Sequence, residues 1–242
     1  VGDLSDRRAM KKARTRAHIR SVAQQMFDAH GFDTVTTADI ARRADVAVQT
    51  VFNHFPTKEE LFFDGRTPWV SGPADAVRDR APGSCPLEAL RSYLVDQVPG
   101  MVDVLGAAER QAYARAIKAS DTLQVREREL VFESERQLTA ALHDAWTGQS
   151  HTDAAGNPRD PHTAASVTAA VWLSATRALI VEHRALVAGG LDTCALADDL
   201  RELADRLLTG LAQAAGLLGA PSRTTARVVP ARSPRPADRL TG

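Results

Sequence analysis

Residues 34–58 read TVTTADIARRADVAVQTVFNHFPTK. Val35, Ile40, Ala41, Val46, Val51, Phe52 and Phe55 are spaced to hold two short helices against each other. Thr36 or Thr37 can accept backbone N–H bonds where the first begins, and Asp39 sits at its positive end. Ala44-Asp45-Val46 is the turn, with Asp45 where a left-handed residue is needed; aspartate tolerates that conformation better than most non-glycine residues. The second helix runs from Val48 to Phe55 and stops at Pro56. Thr57-Lys58-Glu59-Glu60 has the spacing of a capping box and opens the next helix.

Helix, tight turn, helix is the plan whose second helix enters the DNA major groove, although a three-helix core without nucleic acid shares the pattern. Val48, Gln49, Thr50 and Asn53 face outward while Val51 and Phe55 turn inward. Gln49 matches adenine N6/N7, and Val48 matches a thymine methyl. Charge agrees with this placement. The chain is formally neutral, yet residues 7–20 hold seven Lys/Arg and no acid, and residues 61–220 carry 15 basic against 21 acidic side chains. A basic end on an acidic body suits a molecule that meets phosphate at one end only.

The stretch resembles the DNA-binding domain of the TetR family of bacterial one-component regulators. The likeness rests on Ala23, Phe27, Gly31, Phe32, Thr36-Thr37, Asp39-Ile40-Ala41, Ala44 and Val46, then on Thr50-Val51-Phe52, His54-Phe55 and Lys58-Glu59-Glu60-Leu61, and covers residues 11–62. Asp45 stands where the family usually has Gly, Ala47 where it has a Ser cap, and Phe52 where Tyr is common. The resemblance implies DNA contacts from Lys11, Arg14, Thr37, Val48, Gln49, Thr50, Phe52, Asn53, His54 and Lys58, with Thr50, Asn53, His54 and Lys58 on phosphates. It also implies a homodimer formed by the last two long helices, bound to a double-stranded DNA operator and released by a small-molecule effector. Trp69, Val70, Met101, Tyr113, Trp172 and Arg177 are the effector-site candidates. Arg177, in an Ala/Leu/Val-rich helix, calls for a partner: Glu109, Asp103 or an anionic ligand. Residues 101–150 resemble the C-terminal domain of mycofactocin-regulator-like members, which implies an apolar or acyl-CoA-like effector.

The expected fold is all-α. Residues 1–57 form a basic arm and helix-turn-helix domain, 58–220 a helical effector-binding and dimerisation domain, and 221–242 a Pro- and Arg-rich disordered tail. The first helix covers residues 8–30 and ends at Gly31 as C′ glycine. The fourth is kinked or split at Thr67-Pro68 and Gly72-Pro73, Ala81-Pro82-Gly83-Ser84 is a linker, and Pro86 opens the fifth at its first position. Body helices are expected near 86–98, 101–119, 121–148, 161–188 and 194–219, with Pro99-Gly100 separating the first two and Ser120 capping the third. No run of about 18 apolar residues is evident, so no membrane partner is expected, and a cytoplasmic regulator is the default. Scattered histidines, two unrelated cysteines and the lack of a phosphate-binding Gly motif give no support for catalysis, metal or cofactor. An activator, with or without ligand, or a helical interaction module remains the alternative to a repressor.

Overall fold

The computed structural model describes residues 2–103, 108–147, 160–188 and 193–215, and these residues form an all-α structure. The helices are α1 (Gly2–His30), α2 (Thr37–Arg43), α3 (Val48–His54), α4 (Lys58–Phe63), α5 (Pro68–Arg78), α6 (Pro86–Asp103), α7 (Ala108–Ala119), α8 (Asp121–Trp146), α9 (Pro161–Ala188) and α10 (Thr193–Ala215). An N-terminal helix-turn-helix unit is followed by a helical body. The tail from 221 onward, the 148–159 segment and Gly189-Gly190 lie outside the described residues.

Local chemistry sets the N-terminal unit. Gly31 terminates α1 at φ +84°, a conformation that glycine adopts without Cβ strain. Thr36 and Asp39 form a reciprocal capping box on α2, so Thr36 rather than Thr37 is the cap. Asp45 turns the chain at φ +54°, the one non-glycine among the described residues with positive φ. The chain then enters α3 behind Ala47, which offers no side-chain cap.

The core of this unit does not end at residue 57. Leu61, Phe62 and Phe63 of α4 join Ile19, Phe27, Phe32 and Ile40 in one buried cluster, together with Ala116 and Ile117 of α7 and Leu123 of α8. Phe62 is its hub. Its ring lies 5.8 Å from Phe27, 5.5 Å from Phe32 and 5.3 Å from Tyr113, the last stacked within 11°. Truncating a fully buried ring of this kind costs roughly 3–5 kcal/mol.

The body is a second cluster, in which Trp146 of α8 and Trp172 of α9 are buried among Leu87, Leu90, Leu138 and Leu208. Four details depart from the sequence reading. α1 begins at Gly2 rather than near residue 8. Gly72-Pro73 does not break α5: both lie within it. Proline forfeits one N–H and crowds the carbonyl four residues back, here that of Trp69. That carbonyl accepts a hydrogen bond from Ser134 Oγ of α8 at 3.1 Å instead. Gly72 has its own reason, since a Cβ there would lie 1.9 Å from Tyr93 Oη of α6. Pro99-Gly100 likewise falls inside α6, because one proline removes one bond of the ladder and need not end it. Finally, α9 over Pro161–Ile180 is long and apolar enough to cross a membrane by length and composition. Its Ala164, Ala165, Ala169 and Trp172 are buried against the body, as expected for a helix of a helical bundle.

Candidate DNA-binding face

α3 has an inner side, Val51 with Phe55 just beyond the helix, and an outer side of three rows at helical i, i+4 spacing. One flank is apolar: Val48 is 41% exposed and Phe52 43%, values that leave both side chains open to a ligand. The central row is Gln49 and Asn53, both exposed, with Gln49 Nε2 donating to Asn53 Oδ1 at 3.2 Å. The other flank, Thr50 and His54, is half-buried. Thr37 is half-buried as well, at the start of α2. Of the α3 side chains expected from the sequence, Val48, Gln49, Phe52 and Asn53 are therefore exposed, and Thr50 and His54 only partly so.

Cations surround this surface unevenly. Lys11, Lys12 and Arg14 are exposed on α1. Arg16 and Arg20 are not available in the same way. Arg16 bonds Asp64 at 2.6 Å, donates to the His54 carbonyl and lies 4.1 Å over the Phe55 ring; Arg20 reaches Asp64 at 3.4 Å. These two arginines tie α1 to the ends of α3 and α4, so the local charge free to meet phosphate is smaller than the sequence count. Arg42 is held by Asp39, while Arg43 in the last turn of α2 is exposed, a cation that the sequence reading passed over. Its position on a helix-turn-helix was the available signal.

Lys58 has bonds within the protein. Its ammonium donates to the carbonyls of Phe32 and Val35 at 3.0 and 3.2 Å and sits 4.1 Å over the Phe32 ring. Two of its three donors thus close the loop between α1 and α2, where the carbonyls of a tight turn have no helical partners. Ser120 also differs from expectation. It is buried, gives α8 no side-chain cap, and donates to Asp33 Oδ1 at 2.9 Å in that same loop. His54 is electrostatically distinctive. Burial, followed by the nearby Lys12 and Arg16, lowers its pKa from 6.5, and its Nδ1 is buried with no hydrogen-bond partner. The influence of Lys12 also places the exposed start of α1 beside the end of α3.

The five effector-site candidates among the described side chains do not converge. Tyr113 belongs to the N-terminal cluster, stacked on Phe62, whereas Trp172 is buried in the body cluster. Val70 is buried on α5 and Trp69 beside it is half-buried. Arg177 is exposed rather than enclosed, because its position on α9 points away from the buried Trp172 and Thr176. The side chains of Met101, Asp103 and Glu109 lie outside the described residues. A groove of about 410 Å³ between α6 and α10 contains none of the six. It is lined by the ion pairs Arg91–Asp205 and Arg201–Asp96, chemistry that does not suit an apolar guest.

Comparison with known proteins places this geometry. Residues 19–64 match the family described as bacterial regulatory proteins, tetR family. MftR of Mycobacterium tuberculosis, named as a mycofactocin biosynthesis transcriptional regulator, is 39% identical over 51 residues, 21% of this chain. That match spans only 26% of MftR. Among solved structures, native NalD, the secondary repressor of the MexAB-OprM multidrug efflux pump in Pseudomonas aeruginosa, superposes with TM-score 0.50 at 18% identity, covering 81% of this chain and 96% of NalD. The SmeT–triclosan complex gives TM-score 0.51 at 19% identity, covering 81% of this chain and 90% of SmeT. At such identities these two likenesses speak for the fold.

Proposed function

We propose that this chain, whose residues 19–64 are a tetR-family DNA-binding domain, is a sequence-specific transcriptional repressor that binds its operator as a homodimer and is released by a small molecule. The observation that carries the DNA part is the exposed outer side of α3, Val48, Gln49, Phe52 and Asn53, with the exposed Lys12 of α1 near the end of that helix at His54. An exposed polar row on α3 with cations of α1 near its end is the combination that a helix-turn-helix uses to read bases and meet phosphates. Thr50, His54 and Thr37 border it and reach the phosphates that flank the groove. Such a protein works in the cytoplasm, with the bacterial chromosome.

The homodimer is supported by α9 and α10. Val167 and Val171 on α9, and Leu203 and Leu207 on α10, are exposed at i, i+4 spacing on helices that pack together. Two copies of this four-residue patch, meeting about a twofold axis, would bury it. Release by a ligand is a population shift: the ligand binds the conformer in which the two α3 helices no longer match successive grooves. The complex of SmeT with triclosan, a protein of similar fold, supports a small-molecule effector. Trp172, buried among apolar groups of the body, is the candidate in surroundings suited to such an effector.

Titration of the full chain against DNA flanking its own gene, followed by selection from random duplexes, tests the reading at two salt concentrations. Sequence-selective binding by two protomers or a multiple, weakened by salt, is the expected result. Equal binding to selected and scrambled duplexes at both salts would overturn it.

A further inference from the structure

The outer side of α3 has a composition that sorts base pairs. No Lys or Arg lies between Val48 and His54, so α3 has no cation to fork onto guanine N7 and O6. Its central row is constrained by the bond from Gln49 Nε2 to Asn53 Oδ1. Gln49 keeps one amide N–H as donor and its Oε1 as acceptor. Adenine presents the complement in the major groove, N7 as acceptor and N6–H as donor, whereas guanine presents two acceptors. The reverse amide arrangement, Asn53 donating to Gln49, would leave Gln49 two donors and suit guanine.

The flank row points the same way. Val48 and Phe52 are the two large apolar side chains of α3 left open, at 41% and 43% exposure. Phe52 has no hydroxyl to give to a phosphate, so its ring gains free energy only by covering apolar surface. In the major groove that surface is the C5-methyl of thymine.

From these features, and resting on the DNA-binding reading above, we propose that α3 reads A·T pairs: Gln49 takes adenine, and Val48 with Phe52 form an apolar strip that takes thymine methyls. The operator half-site is A·T at the base pairs beneath α3. Phe52 is thereby a specificity-determining residue.

The test begins with selection from random duplexes using the full chain. A·T pairs are expected at the centre of each half-site. Uracil is then placed for thymine, one position at a time, which removes the methyl and leaves pairing intact. Each methyl against Val48 or Phe52 should be worth about fourfold in affinity, the factor for burying roughly one carbon. Val48→Ala and Phe52→Ala should bind the thymine and uracil operators alike at the position each covers. Since the wild-type comparison alters only the DNA, it does not depend on how the variants fold. A G·C centre in the selected sites, or thymine and uracil operators bound equally by wild type, would overturn the inference while leaving sequence-specific DNA binding intact. Selection of no sequence at all would overturn both.

Discussion

Ser134→Ala removes the hydroxyl that donates to the Trp69 carbonyl. That carbonyl lacks the N–H four residues on that an ordinary helix would supply, because residue 73 is proline. Ser134 is 3% exposed, so water is a poor substitute. A buried acceptor left without a donor costs roughly 1–3 kcal/mol, and a value of about 1.5 is expected here. For a chain of this length that lowers Tm by about 3–6 °C. The companion change is Pro73→Ala, which restores an N–H at the position that bonds the Trp69 carbonyl in an ordinary helix. In that background Ser134→Ala should cost about 1 kcal/mol less, whatever Pro73→Ala itself does to packing. Urea unfolding of the four proteins, followed by far-ultraviolet circular dichroism at one fixed protomer concentration, gives the cycle. Equal cost of Ser134→Ala in both backgrounds would refute the argument that serine replaces the donor proline lacks.

Three further expectations concern the face and its support. Arg14→Ala should flatten the dependence of log affinity on log salt by about 0.9, whereas Lys58→Met should lower stability and leave that slope unchanged; titrations at several salt concentrations separate the two, and a flattened slope for Lys58→Met would return it to the phosphate contacts. Gly72→Ala should destabilise the chain because its methyl meets Tyr93, and in a Tyr93→Leu background the same change should stabilise by about 0.5–1 kcal/mol, the ordinary helical gain. Urea midpoints decide this, and a neutral Gly72→Ala would sink it. His54 titrates below 6.5 in the free protein, and a phosphate beside it would raise that value, so DNA affinity should rise as pH falls through the bound-state pKa. His54→Gln should abolish this pH dependence; a wild-type profile flat from pH 8 to about 5.5 would remove the imidazole from the phosphate contacts.

What was legible in the sequence was local. Gly31 and Asp45 announce left-handed turns, and Thr36 with Asp39 announces a cap, because each effect is settled within four residues. The outward rows of α3 follow from helical periodicity alone. What could not be read was the choice among partners. Arg16 and Arg20 look like phosphate ligands until Asp64 is brought beside them from 44 or more positions away. Ser120 has the chemistry of a cap, but folding offers it Asp33, and the carboxylate wins its hydroxyl. Gly72-Pro73 reads as a break because its compensation, Ser134, lies on another helix. Arg177 was expected inside because its neighbours in sequence are apolar, yet α9 has an exposed side and Arg177 is on it.

The stacking of Tyr113 on Phe62, with the Ser120–Asp33 bond beside it, also bears on how this chain can be taken apart. A fragment cut after α4 would carry every side chain proposed to read bases, yet would leave one face of Phe62 wet and lack Ala116, Ile117 and Leu123 from its core. A chimera that exchanges the helix-turn-helix unit for that of another protein must therefore exchange the α7–α8 corner with it, or redesign the seam. The portable unit is discontinuous in sequence, and the place to graft is defined by a shared core rather than by a linker.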